Sequence, residues 1–160
     1  YDVKKAEVHG MAQRGGSVLS HVRFGKKVYS PIIPEGEADV LFGFELLETY
    51  RYLPLVKKTG AVVVNNLRIA PPSVLLGKSD YPQDIASKLK ARVDNVRIVD
   101  GLELAEQAGN AKAINTVLLG ALSNTLNPSH EQWLTAIKSL VPERFLDVNL
   151  KAFELGRQVR

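Results

Sequence analysis

Three short apolar runs, separated by helical patterns, constrain the fold more than any other feature of this sequence. They are residues 38–44, 61–64 and 95–99. Apolar runs of this length, bounded by polar residues and glycine, are typical of buried strands. Parallel neighbours in a sheet need a crossover, usually a helix, between them. The helical patterns at 45–53 and 81–93 therefore predict a parallel sheet covered by helices.

The segments on either side of this unit follow other patterns. Residues 17–24 and 27–33 are short β-rich runs joined at Gly25, and they predict an inserted β-hairpin. The carboxy-terminal third has helical spacing, with Ser129 and Gln132 placed as a capping box. We therefore predict one α/β domain over the whole chain, a three-layer Rossmann-like fold with a mostly parallel sheet, a β-hairpin insertion and a helical carboxy-terminal third.

The composition excludes several classes of function. The sequence contains no cysteine, which excludes a thiolate nucleophile, cysteine-ligated zinc and iron–sulfur clusters held by this chain. No apolar run approaches the ~20 residues of a membrane span and no secretion signal is found, so we expect a cytoplasmic protein without a membrane partner. The net charge of +4 is concentrated in residues 1–30, without interleaved aromatic residues. We therefore predict no nucleic-acid partner.

Motifs for metal binding are incomplete. His130 and Glu131 begin like a zinc-protease motif, but Leu134 stands where that motif requires its second histidine. His9 and His21 lie far from His130 in the sequence, and no cysteine is available to support them. We therefore predict no metal ligand in this chain.

Three carboxylates, Asp39, Glu45 and Glu48, lie close in sequence to the end of the first predicted parallel strand. Paired carboxylates at a strand end can perform acid–base chemistry on a substrate. The same residues are also typical of the solvated first turn of a helix. The sequence leaves both interpretations open.

The least generic stretch of the chain is the glycine-rich segment 7–16, which follows an opening strand. Its glycines allow the backbone to approach a ligand closely. His9, Gln13 and Arg14 place polar groups at the carboxyl end of that strand, where open α/β sheets form ligand crevices. The segment is either a glycine-rich turn with an incidental arginine or a site for an anionic ligand or partner.

Four stretches, spread over the whole chain, form a recognisable pattern. They are His-Gly-Met-Ala-Gln-Arg-Gly-Gly-Ser-Val at 9–18, Gly-Glu-Ala-Asp-Val-Leu at 36–41, Leu-Leu-Gly-Ala-Leu at 118–122 and Asn-Leu-Lys-Ala-Phe-Glu-Leu-Gly-Arg at 149–157. In this order they resemble the small β subunit of indolepyruvate ferredoxin oxidoreductase. Within the wider 2-oxo acid ferredoxin oxidoreductases, that subunit corresponds to the gamma domain.

The resemblance implies a noncatalytic subunit that completes the site for oxidative decarboxylation of an arylpyruvate, with coenzyme A and ferredoxin as further reactants. Thiamine diphosphate, magnesium and the iron–sulfur clusters are implied in a large partner subunit, and no cofactor in this chain alone. Five residues are then expected to face the partner, the substrate or coenzyme A, with the glycines shaping the backbone. They are His9, Gln13, Arg14, Gly15 and Gly16.

Members of this family begin with a strand and a glycine-rich turn that nothing before Tyr1 matches. We therefore interpret residues 1–160 as a gamma-type domain lacking that strand and turn. Other possibilities remain open. The substrate could be pyruvate, 2-oxoglutarate or a branched-chain 2-oxo acid, the chain could self-associate, or it could be a stand-alone module that binds an anion or a nucleotide.

Overall fold

The computed structural model describes residues 1–9 and 17–159 of the chain. Within these residues the strands are β1 (Asp2–His9), β2 (Val18–Gly25), β3 (Ala38–Gly43), β4 (Val56–Asn65) and β5 (Asn95–Val99). The helices are α1 (Leu46–Tyr52), α2 (Pro72–Leu75), α3 (Ile85–Arg92), α4 (Gly101–Ala108), α5 (Ile114–Ser123), α6 (His130–Leu140) and α7 (Leu146–Arg157). None of the helices described is long and apolar enough to cross a membrane.

Strands β3, β4 and β5 form the parallel sheet that the apolar runs predict, in the order β3, β4, β5. Val62 aligns with Leu41 on one side and with Val96 on the other. Helix α1 lies in the connection from β3 to β4, and α3 lies in the connection from β4 to β5. The strand β4 begins at Val56, five residues before its apolar run, because Val56 pairs with Ala38 across a register shift.

Successive residues of β4 face opposite layers, which explains the three-layer architecture. Val62 and Val64 are fully buried in the core that includes residues of α1 and α3. Val63, between them, is fully buried in the second core with residues of α4, α5 and α7. Burying a valine side chain of this kind stabilises the fold by roughly 1.5 to 3 kcal/mol. The predicted fold class is confirmed.

Helices α5 and α7 approach each other closely enough for backbone contact. A β-carbon added to Gly120 would lie 2.1 Å from the carbonyl oxygen of Phe153, and one added to Gly156 would lie 1.9 Å from that of Val117. Each helix therefore presents a glycine to the backbone of the other. Both glycines fall in stretches that carry the family resemblance.

The hairpin is present, but the predicted pairing of residues 17–24 with residues 27–33 is wrong. Strand β2 pairs antiparallel with β1, from Asp2 opposite Gly25 to His9 opposite Val18. Residues 27–33 form no strand. One reason is Pro31, which has no backbone N–H to donate to a ladder.

Side chains of the hairpin satisfy the backbone of this segment instead. Arg23 donates from its guanidinium to the carbonyl oxygen of Ile32 at 3.1 Å. The buried His21 accepts the backbone N–H of Ile33 at Nδ1, at 3.2 Å. The hairpin is thereby tied to the connection that leads into β3.

Candidate functional site at the carboxyl edge of the sheet

The carboxyl ends of β3, β4 and β5 meet at one edge of the sheet, and amide side chains bridge them. Asn65, buried at the end of β4, donates to the carbonyl oxygen of Phe44 at 3.3 Å and accepts the N–H of Gly101 at 3.2 Å. Asn66 donates to the carboxylate of Asp100 at 2.7 Å. These bonds fix the edge at which open α/β sheets bind ligands.

A buried carboxylate, Glu45, organises the edge beside β3. Its Oε2 accepts the backbone N–H of Glu48 at 2.7 Å, which makes Glu45 the N-cap of α1. Its Oε1 accepts the backbone N–H of Ile69 at 3.1 Å and the hydroxyl of Tyr81 at 2.8 Å. Glu45 therefore joins the start of α1 to both ends of the segment 69–81.

The hydroxyl of Tyr81 is held in its protonated form. Burial of the hydroxyl raises the pKa of Tyr81 from 10.0 to about 12, and the hydrogen bond to Glu45 and the negative charge of Glu45 contribute to this rise. The positive charge of Arg68 acts in the opposite direction and lowers the pKa. The guanidinium of Arg68 lies 5.7 Å from the centre of the tyrosine ring. Tyr81 therefore remains a donor to Glu45 at neutral pH.

The second carboxylate of α1, Glu48, holds the chain that enters the hairpin. The hydroxyl of Ser17 donates to Oε2 of Glu48 at 2.6 Å and lies 3.1 Å from the hydroxyl of Tyr52. Arg51 forms an ion pair with the other oxygen of Glu48. Ser17 directly follows the glycine-rich segment in the sequence. The hydrogen bonds of Ser17 therefore attach the residue after that segment to α1.

Of the five predicted site residues, the structure describes His9. It ends β1 with an exposed side chain, and its Nε2 lies 3.4 Å from Oε1 of Glu7. Glu7 also binds the ammonium group of Lys5 at 2.9 Å, and this contact lowers the pKa of Glu7. The other four predicted residues lie outside the described residues, and their role stays a prediction. They are Gln13, Arg14, Gly15 and Gly16.

The three carboxylates considered together from the sequence do not form one cluster. Asp39 lies near the amino end of β3, where it forms an ion pair with Lys57 at 2.6 Å, whereas Glu45 follows the opposite end of that strand. The interpretation of a solvated helix start is wrong for Glu45, which is buried. Both of its oxygens accept hydrogen bonds from the protein, so the geometry favours a role in holding structure over acid–base chemistry.

Large apolar side chains are exposed around the same edge of the sheet. Five of them belong to the end of β3 or to the connection after β4. They are Phe44, Leu67, Ile69, Leu75 and Leu76. Leu75 and Leu76 are 73% and 69% exposed. Large exposed apolar side chains at the end of a strand and in the connection after its neighbour are typical of a surface that a partner or ligand covers.

No site role is predicted from the sequence for Asn65 or Tyr81, which help to hold this edge together. Asn65 is the first polar residue after the apolar run of β4, and a polar residue that ends a buried strand is a usable signal for an edge position. Tyr81 carries no such signal, because its partner Glu45 lies 36 residues earlier in the chain.

A groove of about 500 Å³ lies at the opposite, amino edge of the sheet, between β2, the start of β3 and residues 125–127. Its cations are engaged within the protein. Lys57 binds Asp39, and Arg23 binds backbone carbonyl groups. The groove is therefore a weaker candidate for an anion-binding site than its volume alone would indicate.

The side chains that the structure describes do not fit a metal or cluster site. Iron–sulfur clusters are held by cysteine thiolates, and the sequence has none. Among residues 1–9 and 17–159, no three histidine or carboxylate side chains are grouped so that they could hold a metal ion. Neither the clusters nor a magnesium ion can therefore be assigned to the described residues.

Comparison with known proteins gives consistent results. The family described as "Pyruvate ferredoxin/flavodoxin oxidoreductase" matches residues 1–159. The chain is 42% identical to the protein named "Indolepyruvate oxidoreductase subunit IorB" of Thermococcus kodakarensis, over 98% of this chain and 80% of that protein. It is also 42% identical to the protein of the same name from Pyrococcus horikoshii, with the same coverage.

Two solved structures share the fold. One is the gamma subunit of a keto/oxoacid ferredoxin oxidoreductase from Geobacter sulfurreducens, with a TM-score of 0.60 at 23% identity, over 96% of this chain and 77% of that chain. The other is the pyruvate oxidoreductase subunit PORC from Thermotoga maritima, with a TM-score of 0.62 at 17% identity, over 99% of this chain and 79% of that chain.

The architecture and these matches define a subunit of a 2-oxo acid ferredoxin oxidoreductase, as the sequence predicts. The chain belongs to the pyruvate ferredoxin/flavodoxin oxidoreductase family. The predicted resemblance to the small subunit of indolepyruvate ferredoxin oxidoreductase is confirmed.

Proposed function

We propose that this chain completes the active site of an indolepyruvate ferredoxin oxidoreductase together with a large subunit. The reaction would convert an arylpyruvate and coenzyme A into an acyl-coenzyme A and carbon dioxide, with reduction of ferredoxin. The observation that carries the substrate class is the 42% identity to proteins named indolepyruvate oxidoreductase subunits, across 98% of this chain.

In this proposal the large subunit holds thiamine diphosphate, magnesium and the iron–sulfur clusters. The absence of cysteine from this chain supports that division of labour. When bound, thiamine diphosphate supplies the stabilised carbanion that decarboxylation needs. The small subunit then contributes binding, orientation and exclusion of water.

The carboxyl edge of the sheet is the part of this chain that faces the large subunit in the proposal. It carries the exposed apolar side chains around Phe44 and Leu75, and Glu45 holds its backbone in place. His9, Gln13 and Arg14 would face the partner, the substrate carboxylate or the phosphates of coenzyme A. Gly15 and Gly16 would let the backbone approach that ligand closely.

A second candidate is the same subunit in an enzyme that uses pyruvate. The name of the matching family and that of the Thermotoga maritima neighbour both refer to pyruvate. The higher identity to the indolepyruvate subunits favours the arylpyruvate. A stand-alone anion-binding module is favoured less, because the cations of the amino-edge groove are already paired.

The test is reconstitution with a candidate large subunit, a cysteine-rich, thiamine-binding chain from the same genome. The purified complex is assayed for coenzyme A-dependent reduction of ferredoxin with indolepyruvate, phenylpyruvate, pyruvate, 2-oxoglutarate and a branched-chain 2-oxo acid. The proposal predicts the highest kcat/KM with the arylpyruvates and no turnover by either subunit alone. Preference for pyruvate would establish the second candidate, and turnover by this chain alone would refute both.

A further inference from the structure

One face of the β1–β2 hairpin is exposed along its whole length. In the antiparallel register, opposite residues share a face. The eight residues of this face, which we call the outer face, are all exposed. They are Val3, Lys5, Glu7 and His9 of β1, and Val18, Ser20, Val22 and Phe24 of β2.

The outer face has an apolar row and a charged row. Val18, Val22 and Phe24 lie along β2, with Ser20 between Val18 and Val22, and the three apolar side chains are 46% to 52% exposed. Lys5, Glu7 and His9 of β1 lie beside them. The charged row is linked internally, since Glu7 contacts both Lys5 and His9. An apolar strip beside a polar border is typical of a protein–protein interface, which has an apolar centre and a polar rim.

The opposite face of the hairpin is engaged within the chain. His21 on that face is buried and bonds to Ile33, and Asp2 accepts the backbone N–H of Val28 at 2.9 Å. A two-stranded sheet is only marginally stable by itself and needs packing on a face. This chain packs on part of the opposite face, where Val8 stays exposed. It leaves the apolar row of the outer face exposed, and Val22 and Phe24 of that row border the groove at the amino edge of the sheet.

The charge of the hairpin indicates the chemistry of the surface that fits it. Within residues 1–9 and 17–30, basic side chains outnumber acidic ones by five to two. Asp2 and Glu7 pair with lysines of this region and Arg23 binds backbone carbonyl groups, so the excess positive charge is a property of the region as a whole. Lys26 and Lys27, at the turn after β2, are both exposed. The complementary surface is an apolar strip with an acidic rim.

The area of the outer face argues against a second copy of this chain as its occupant. Two strands of eight residues present about 260 Å² per face at standard strand dimensions. A dimer through this face alone would bury about 500 Å², well below the roughly 1,200 to 2,000 Å² of stable interfaces. The occupant must therefore contact this chain elsewhere too, as a large subunit that also covers the carboxyl edge would.

We propose that the outer face docks onto the large subunit, against an apolar strip with an acidic rim. The inference rests on the proposed function, because it assigns a surface to the partner named there. Docking of this face would also bring His9, at the end of β1, to the interface.

The test compares two valine variants of the complete chain, each with the purified large subunit. Val22→Glu places a carboxylate in the apolar row. Val8→Glu is the matched control, because Val8 is 54% exposed, close to the 50% of Val22, but lies on the opposite face of the same hairpin. We expect Val22→Glu to raise the Kd for the large subunit at least tenfold and Val8→Glu to change it less than threefold.

A charge variant tests the acidic rim separately. The double variant Lys26→Glu, Lys27→Glu should lower the association rate several-fold and weaken the dependence of that rate on ionic strength. An unchanged rate would refute the acidic rim.

The remaining outcomes separate this inference from the proposed function. If the wild-type chain does not bind the large subunit, the proposed function fails. If it binds and the two valine variants bind equally well, the outer face is not the docking surface.

Two further results would identify another occupant of the outer face. A lower melting temperature of Val22→Glu than of Val8→Glu would show that the chain itself covers the face. Concentration-dependent dimers of the wild-type chain, abolished by Val22→Glu, would identify a second copy as the occupant. Either of these last two results overturns the inference.

Discussion

The hydroxyl of Tyr81 donates to the buried carboxylate of Glu45 at 2.8 Å, across 36 residues of sequence. The same oxygen of Glu45 accepts the backbone N–H of Ile69. The connection after β4, which carries the exposed Leu75 and Leu76, is therefore held at both ends by one carboxylate. The order of this edge depends on keeping that carboxylate buried and bonded.

Replacing Tyr81 with phenylalanine tests this dependence. Removing the hydroxyl leaves Glu45 with one fewer donor, and hydrogen bonds to charged groups contribute about 1.5 to 3 kcal/mol. We expect Tyr81→Phe to lower the free energy of unfolding in urea by that amount. Tyr29→Phe is the control, because Tyr29 is 89% exposed, and it should change the free energy by less than about 0.5 kcal/mol. Equal effects would show that the bond to Glu45 adds no stability.

The raised pKa of Tyr81 predicts a specific alkaline transition. The pKa is about 12 in the folded chain against 10.0 for an unperturbed tyrosine, so the folded state favours the protonated phenol. This contribution to stability is complete below pH 10 and is lost as the pH rises towards 12. The difference in unfolding free energy between wild type and Tyr81→Phe should therefore shrink over that interval. In a tyrosinate absorbance titration, the late-titrating tyrosine should disappear in the variant.

The contact between α5 and α7 predicts a strong effect of a single methyl group. Alanine is favoured over glycine in a helix by about 1 kcal/mol, so Gly156→Ala would be stabilising if space allowed. The added carbon would instead lie 1.9 Å from the carbonyl oxygen of Val117, which forces the helices apart. We expect a net destabilisation of about 1 to 3 kcal/mol in urea unfolding.

Gly25→Ala is the control for this substitution, because an added β-carbon there meets no atom within 4 Å. Its stability should stay close to that of the wild type. A Gly156→Ala chain as stable as wild type would mean that α5 and α7 can separate without cost.

The sequence was sufficient for features that depend on local pattern. The strand β5 has its predicted bounds because its apolar run ends at the polar Asp100. The capping box before α6 is confirmed, with Ser129 and Gln132 bonding to each other's backbone. Both signals lie within a few residues of what they determine.

Features that depend on distant partners could not be predicted in the same way. Residues 27–33 have a strand-like composition, but Ile33 donates its backbone N–H to His21 and Ile32 accepts a hydrogen bond from Arg23. These bonds compete with a ladder, and β1 is the strand that pairs with β2. Glu45 resembles a solvated helix start because its two long-range donors, Ile69 and Tyr81, follow it by 24 and 36 residues. A lone carboxylate carries no sign of such partners.

The prediction that most directly tests the proposed site concerns Arg14, in the complex with the large subunit. If Arg14 is an incidental arginine in a turn, Arg14→Met should change the free energy of unfolding by less than about 0.5 kcal/mol. The turnover of the complex should then also stay unchanged. If it binds a carboxylate or phosphate in the assembled site, the lost hydrogen bonds correspond to roughly 1.5 to 3 kcal/mol, or about ten- to a hundredfold in kcat/KM. We expect the second result, with a near-normal melting temperature.

Arg14→Lys should recover little of the lost turnover, because lysine keeps the charge but lacks the two-pronged guanidinium. Arg92→Met, at an exposed position in the last turn of α3, is the matched control and should leave turnover unchanged. Unchanged turnover in Arg14→Met would remove the residue from the site.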